Sequence, residues 1–195
     1  MTILNVPSLL IGHTDPAASM RMTNRLAGHF KPLPSSKRIV VVCIGSDRCT
    51  GDSLGPLTGS LLGKYRSTAF DLFGTLEKPV HAMNLDATLE KLNTTIDDPF
   101  VVGIDACLGN ASSIGMIQIG DGPLRPGAGV NKTLPPVGDI HISAIVNIGG
   151  ILGFQVLQNT RLHLVMSMAS LISKSLFVAI SVAAREDRIQ YGIQR

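Results

Sequence analysis

Unbroken apolar runs alternate with helical patterns along the chain, and this alternation predicts an α/β fold. Residues 39–45 and 100–105 are apolar or glycine almost throughout, without the polar alternation of a half-exposed strand. We therefore predict that both are strands covered on their two faces. Apolar residues at helical spacing predict a helix over 15–30, and a second helix over 52–66 directly after the first strand.

Weaker patterns fill the rest of the chain. The sequence predicts, in this order, a strand or loop at 69–76 and at 79–84, a helix over 86–96 with Asp86 as its N-cap, strands over 114–121 and 139–147, a helix over 149–158, and a terminal helix from 162. Strands that alternate with helices favour a mainly parallel sheet with helices on both faces. We expect residues 1–36 to be an extension that carries a helix and packs on a single domain, residues 37–195.

The composition indicates a compact globular chain. Of its 195 residues, 45% are hydrophobic and only 16% are charged, so the surface is small for the core that it covers. Such a chain is expected to bury more surface by self-association, and we predict a homo-oligomer. The net charge of +3 is small, and no basic block stands beside aromatic residues, so we expect no nucleic-acid partner.

Two features bear on the compartment of the protein. The start of the chain, MTILNVPSLL, lacks the basic region of a signal peptide, and the three cysteines form no CxxC motif, so we predict the cytoplasm. The segment from Leu162 to Ala184 is long enough to span a bilayer. Lys174, several serines and the charged residues after the segment favour a packing helix instead, and we predict no membrane partner.

The turn between the first buried strand and its helix reads CIGSDRCTGDSLGP, from Cys43 to Pro56. A Walker-type nucleotide loop ends in Gly-Lys-Ser/Thr, but here Gly51 is followed by Asp52. An acid at this helix N-terminus takes the place that a phosphate would occupy. The GxGxxG fingerprint of dinucleotide sites is absent after either buried strand, and we expect no cofactor.

Asp52 in this turn and Asp105 at the end of the second buried strand are the candidate catalytic residues. The carboxyl ends of parallel strands line the ligand crevice of an α/β sheet, so the two acids meet there if their strands are neighbours. Two carboxylates in a dry crevice share a proton near neutral pH, which leaves one base and one proton donor. Such a pair suits peptide hydrolysis by an activated water. The alternative for Asp52 is that it only caps its helix.

Other residues are candidates for binding the substrate. We expect Arg48 to face the crevice and to orient a carbonyl or carboxylate group. In the loop RPGAGVN, Gly127 and Gly129 are expected to permit a close backbone approach to a substrate strand, with Asn131 beside them. The alternative for this loop is a flexible surface hairpin.

Histidine and cysteine residues give weaker signals. We interpret His141 as a strand residue that points outward, and His81 as a packing or surface residue. One histidine and two aspartates, none at ligand spacing, predict no metal site. Cys49 and Cys107 are interpreted as small apolar residues, because no Cys/His motif accompanies them.

Three stretches resemble the YyaC-type sporulation proteins of spore-forming bacteria: CIGSDRCTGDSLGP, VVGIDACLGN and IQIGDGPLRPGAGVNK. This resemblance runs from Lys37 to the terminal helix. More distantly, the chain is similar to the germination protease that degrades small acid-soluble spore proteins and to the hydrogenase maturation endopeptidases. The blocks GDSLGP, IDA and PGAGVN occur in the same order here as in the germination protease.

The resemblance implies a three-layer αβα sandwich, phosphorylase/hydrolase-like, as in the hydrogenase maturation proteases. In the germination protease the first two blocks carry an aspartic catalytic pair, which falls on Asp52 and Asp105 in this sequence. In the hydrogenase maturation enzymes the corresponding acids contact a metal together with a histidine after a later strand, a place that could fall on His141.

We therefore predict a sporulation-associated hydrolase. It would be an aspartate-dyad peptidase that acts on a spore protein with activated water, in the cytoplasm of the forespore or in the spore core. The sequence leaves open which of Asp52 and Asp105 is the base. The alternative is a catalytically inactive peptidase-like scaffold that binds a protein or peptide during sporulation.

Overall fold

A six-stranded mixed sheet forms the centre of the molecule. The computed structural model describes residues 8–127 and 134–192, with side chains up to residue 184. Its elements, in chain order, are β1 Leu9–Gly12, α1 Ala18–Phe30, β2 Ile39–Cys43, α2 Leu54–Gly63, β3 Phe70–Phe73, α3 Leu85–Thr95, β4 Phe100–Gly109, a short 3₁₀ turn Ala111–Ser113, β5 Met116–Asp121, β6 Ile140–Ile148, α4 Gly153–Gln158 and α5 Leu162–Gly192.

The strand order in the sheet is β1-β5-β6-β4-β2-β3. The pairs β3–β2, β2–β4 and β4–β6 are parallel, whereas β5 is antiparallel to β6 and to β1. The predicted mainly parallel sheet is therefore confirmed, with β5 as the strand that runs against the others. The strands at 39–45 and 100–105 are neighbours, because Ile39 pairs with Phe100 in the parallel register.

Helices α1, α2 and α5 cover one face of the sheet. The α5 residues that pack there recur at helical spacing, and all are buried: Val165, Met168, Ala169, Ile172, Leu176, Ala179, Ile180 and Ala183. They meet the alternate strand residues Val41, Ile104 and Ile142, which are fully buried. This stripe confirms the predicted packing helix.

The other face is covered in two parts. Helix α3 packs over β2 through Leu85 and Leu92, which join Val40 and Val42 in a second apolar cluster. The loop after β5 packs Leu124, Leu134 and Val137 into the same cluster. Val102, Ile104 and Ala106 of β4 belong to the first face, so Asp105 between them points to this second face.

Several details differ from the sequence prediction, and one is that the helix predicted over 149–158 begins only at Gly153. Strand β4 does not end at Asp105 but continues to Gly109, because its pairing with β6 extends that far. The N-cap of α3 is Asn84, and Asp86 lies in the first turn. The sequence analysis did not predict β1, in which Leu9 pairs with Ile119 of β5.

Helix α5 also has the length and composition of a membrane span. The segment Leu162–Ala184 has a mean hydropathy of 1.8, and half of its most apolar stretch is buried inside the molecule. In this structure its buried stripe contacts α1, α2 and the sheet. The helix therefore forms part of the core described above.

Candidate active site

The candidate site lies where β2 ends and β4 continues. Cys43, the last residue of β2, pairs with Ile104, and the N–H of Ile44 still donates to the carbonyl oxygen of Ile104 at 2.7 Å. Asp105 is the next residue of β4, so it lies just beyond the end of β2. The chain leaves β2 there and turns towards α2, which opens a space beside Asp105.

Two glycines give the turn before α2 its shape. Gly45 has φ +141°, and a Cβ at this position would overlap the backbone carbonyl of Asp52. Gly55 is in the first turn of α2, and a Cβ there would overlap the carbonyl oxygen of Ile44. The glycines thus let α2 lie directly against the end of β2 and fix Asp52 beside it.

A cavity of about 260 Å³ occupies this space. Four of the residues proposed from the sequence line it: Arg48, Asp52, Asp105 and Gly127. Gly129 and Asn131 lie outside the described residues. The remaining wall is largely apolar and consists mainly of Ile44, Cys49, Ala82, Ala106, Cys107, Leu108, Pro126, Leu134, Phe154 and Leu157.

Asp52 does not have the position of a helix cap. The N-cap residue of α2 is Ser53, which makes no side-chain capping bond and instead donates its Oγ to the carbonyl oxygen of Thr50 at 2.6 Å. The backbone carbonyl of Asp52 accepts the N–H of Ser46 at 3.2 Å, which closes the turn. Asp52 lines the cavity, and no side-chain capping bond is found at the start of α2, so the capping alternative is not supported.

Burial and charge both shift the ionisation of the two carboxyl groups. Burial raises the pKa of Asp105 well above its usual range, and the negative charge of Asp52 raises it further, against the opposing N–H of Ala106. Burial also raises the pKa of Asp52, but the N–H of Ser46 and the charge of His81 oppose this shift. Asp105 is 8% exposed, and the pair is therefore expected to hold one proton, mainly on Asp105.

His81 is a wall residue of the cavity, which the sequence interpretation as a packing or surface residue missed. Its Nδ1 lies 3.3 Å from the backbone nitrogen of Met83, and the backbone N–H of His81 donates to Oδ1 of Asn84 at 2.8 Å. The isolated bridge between Val80 and Ile44 brings this segment to the end of β2.

His141 lies away from the cavity wall. Its Nδ1 is 3.0 Å from the carbonyl oxygen of Gly122, and its ring lies against Gly120 on β5. The structure therefore does not bring His141 to the place that the resemblance to the hydrogenase enzymes implied. Among residues 8–127 and 134–184, no three His, Cys, Asp or Glu side chains form a group that could hold a metal ion.

The cysteines are free thiols. Cys107 lines the cavity, and burial together with the charge of Asp105 raises its pKa to about 11. Cys49 is buried in the same wall. Cys43 lies beneath α2, and burial raises the pKa of its thiol as well. A thiol with such a pKa is protonated near neutral pH, so Cys107 is poorly suited to act as a nucleophile.

Comparisons with known proteins found one matching family and one similar protein. Residues 10–175 match the family described as "Protein of unknown function (DUF1256)". The chain is also 48% identical over 179 residues to the "Uncharacterized protein YyaC" of Bacillus subtilis (strain 168). That alignment covers 92% of this chain and 87% of the relative.

Proposed function

The chain belongs to the DUF1256 family, and from the chemistry of its cavity we propose that it is a peptidase that hydrolyses an amide bond with water activated by two aspartates. The observation that carries this proposal is that Asp52 and Asp105, from separate parts of the chain, line one largely apolar cavity, in which the charge of Asp52 adds to the burial that raises the pKa of Asp105. Paired titratable groups whose pKa values are pushed apart supply an acid and a base at one pH.

The electrostatics favour one assignment of the two roles. Asp105 is the more buried acid, and its pKa is raised by burial and by Asp52, so it holds the proton near neutral pH. The N–H of Ser46 and the charge of His81 favour ionised Asp52. We therefore assign Asp52 as the general base and Asp105 as the general acid.

The reaction proceeds with a balanced transfer of protons. Ionised Asp52 takes a proton from a water molecule as the water oxygen attacks the carbonyl carbon of the substrate. Asp105 then donates its proton to the amide nitrogen as the C–N bond breaks, which releases an amine and a carboxylic acid. The proton on Asp52 returns to Asp105 through solvent or directly, and this restores the starting state.

Two further residues support substrate binding. Arg48 is exposed at the wall of the cavity, where its guanidinium can donate to a substrate carbonyl or carboxylate. Gly127 has φ +123° and no side chain, so its part of the wall admits a close approach by a substrate backbone. Gly129 and Asn131 keep their proposed role in the same loop.

The finer classification of the fold is part of this proposal. Helices on both faces of the sheet and the ordered blocks GDSLGP, IDA and PGAGVN support a three-layer αβα sandwich of the hydrogenase maturation protease kind. The resemblance to the YyaC-type sporulation proteins and, more distantly, to the germination protease supports a setting in sporulation, with a spore protein as substrate in the cytoplasm of the forespore or in the spore core. Self-association into a homo-oligomer belongs to the same proposal.

Two variants and a matched control test the activity. The purified chain is incubated with a library of quenched fluorescent peptides in water enriched in ¹⁸O, and new C-termini are examined by mass spectrometry. Asp52→Asn and Asp105→Asn are each expected to lower the rate by about 100-fold or more, because general acid–base catalysis contributes about that much. Asp47→Asn changes an exposed acid of the same turn that does not line the cavity, and it should retain the activity.

The ¹⁸O label identifies the C-termini that were formed by hydrolysis during the incubation, since each of them takes one labelled oxygen from water. Circular dichroism confirms that the variants remain folded. A wild-type chain that cleaves no library member, or Asn variants that cleave at the wild-type rate, would contradict the peptidase. Binding of a peptide without cleavage would instead favour the inactive scaffold.

The rate is also expected to depend on pH in a bell shape. The raised pKa of Asp52 means that the base is formed only as the pH rises above the usual range of a carboxyl group. The rate falls again as the pH passes the higher pKa of Asp105 and the acid loses its proton. A rate that keeps rising to pH 10 would contradict the assigned roles.

A further inference from the structure

Exposed apolar side chains cluster beside the mouth of the cavity. Ile148, Ile151, Leu152 and Phe154, which we call the rim patch, are 44%, 103%, 59% and 56% exposed. All four lie in one short segment that leads from β6 into α4. Contiguous exposed apolar residues on a soluble domain mark binding surfaces more often than single ones do.

Helix α4 is held in place by polar contacts rather than by burial of the rim patch. Of its residues, only Leu157 is buried. The carbonyl oxygen of Leu157 accepts the N–H of Gly51, one residue before Asp52, at 2.8 Å. Nδ2 of Asn147 on β6 donates to the carbonyl oxygen of Val156 at 3.2 Å. The helix is therefore fixed at both the sheet and the turn that carries Asp52, while Phe154 and the rim residues before the helix are exposed.

The rim patch is continuous with the cavity. Phe154 belongs to both, because it is 56% exposed and also lines the cavity that holds Asp52 and Asp105. Leu157, one turn further along α4, lines the cavity floor. A cavity of about 260 Å³ lies below the usual size of ligand pockets, so a peptide that reaches the two acids extends beyond it, and the rim patch adjoins the cavity at Phe154.

We propose that the site selects extended peptide segments rich in large apolar residues, with one apolar side chain in the cavity and others on the rim patch. This inference rests on the proposed peptidase function, since it names the substrate class of the same site. The cavity wall supports it, because Ile44, Leu108 and Leu134 offer apolar contact beside the acids. Met83, 85% exposed next to the wall residue Ala82, adds a further apolar contact.

A binding experiment tests the substrate class without requiring cleavage. The probes are two fluorescein-labelled ten-residue peptides of glycine and serine, one with four central leucines and the other with four central asparagines. Their affinities for the Asp52→Asn chain are measured by fluorescence anisotropy. We expect the leucine peptide to bind at least tenfold more tightly than the asparagine peptide.

Matched variants locate the contact on the protein. In the Asp52→Asn background, Ile151→Ser with Phe154→Ser is expected to weaken binding of the leucine peptide about tenfold, which is about 1.4 kcal/mol. Met20→Ser replaces an apolar residue that is 61% exposed on α1, away from the cavity, and should leave the affinity unchanged. All three positions are exposed, so the variants should keep the thermal stability of their parent.

The outcomes separate this inference from the proposed function. Equal affinities for the two peptides, or an unchanged affinity in the rim variant, would overturn the inference even if the wild-type chain hydrolyses peptides. Selective binding that depends on the rim, in a chain without any hydrolysis, would support the inference and refute the peptidase. Sedimentation velocity on the same samples examines self-association, and a rim variant that loses only its dimer and keeps its peptide affinity would also overturn it.

Discussion

Replacing Asp105 with asparagine should stabilise the folded protein at high pH, although it removes a proposed catalytic group. The side chain is 8% exposed, and its pKa is raised well above the usual range by burial and then by the charge of Asp52. A group with a raised pKa in the folded state binds its proton more tightly there than in the unfolded chain. Its contribution to stability is therefore complete below the unfolded pKa of about 4 and is lost as the pH rises through the folded pKa.

The size of the effect follows from this linkage. Each unit of pKa difference corresponds to about 1.4 kcal/mol, and in a chain of this length about 1 kcal/mol shifts the Tm by about 2–4 °C. Asparagine has nearly the same shape and cannot ionise. We therefore expect Asp105→Asn to raise the Tm by about 3 °C or more at pH 9 relative to the wild type, and to leave it nearly unchanged at pH 4.

Differential scanning calorimetry between pH 4 and pH 9 measures this difference. Asp47→Asn, which changes an exposed acid of the turn before α2, serves as the control and should follow the wild type at every pH. A Tm difference that does not grow with pH would refute the reasoning, because it would show that Asp105 ionises in the folded chain without penalty. An asparagine variant less stable than the wild type at pH 9 would refute it as well.

Two further predictions concern the same region of the fold. Asp105→Asn should lower the pKa of Cys107 from about 11, because it removes the nearby charge of Asp105. Alkylation of the Cys107 thiol by iodoacetamide at pH 8.5, followed by mass spectrometry, should then become severalfold faster. An unchanged rate would contradict the electrostatic effect of Asp105 on Cys107. Gly55→Ala should lower the free energy of unfolding in urea by about 3 kcal/mol, because the new Cβ would overlap the carbonyl oxygen of Ile44. Gly28→Ala, which has open space around it on α1, should raise the same free energy by about 0.5–1 kcal/mol. The opposite order of stabilities would contradict the packing of α2 against β2.

The buried strands could be predicted from the sequence because their patterns are local. The apolar runs at β2 and β4 lack polar interruptions, and the structure places them side by side in the parallel register. The apolar spacing of α1 and α5 likewise matches the stripes that these helices bury. Each of these elements is fixed by a pattern within its own segment.

Features that depend on pairing partners were harder to predict. Strand β1 is only four residues long and forms because β5 offers it an edge. Strand β4 continues past Asp105 because β6 pairs with it as far as Gly109, and the polar residue in mid-strand was misread as the strand end. Propensity and spacing within a segment do not contain this information.

The candidate site, too, could be predicted only where the signal lies within one segment of the chain. The sequence singled out Asp52, Asp105 and Arg48, and the structure places all three in the wall of one cavity, while their catalytic and binding roles stay predictions. His81 was missed as a cavity residue because a bridge from the preceding Val80 to Ile44 brings it there. Residues 149–154 of the rim segment were predicted as part of a helix, and the exposure of the segment could not be predicted from its apolar composition.

The most direct test of the central claim is the ionisation of Asp105 with and without the charge of Asp52. The chain is labelled with ¹³C at the aspartate carboxyl groups, the Asp105 resonance is identified by its loss in Asp105→Asn, and its chemical shift is followed against pH in the wild type and in Asp52→Asn. We predict that Asp105 titrates well above the usual range of an aspartate in the wild type and at a lower pH in Asp52→Asn. An ordinary titration in the wild type, or the same titration in both chains, would contradict the shared proton on which the proposed activity depends.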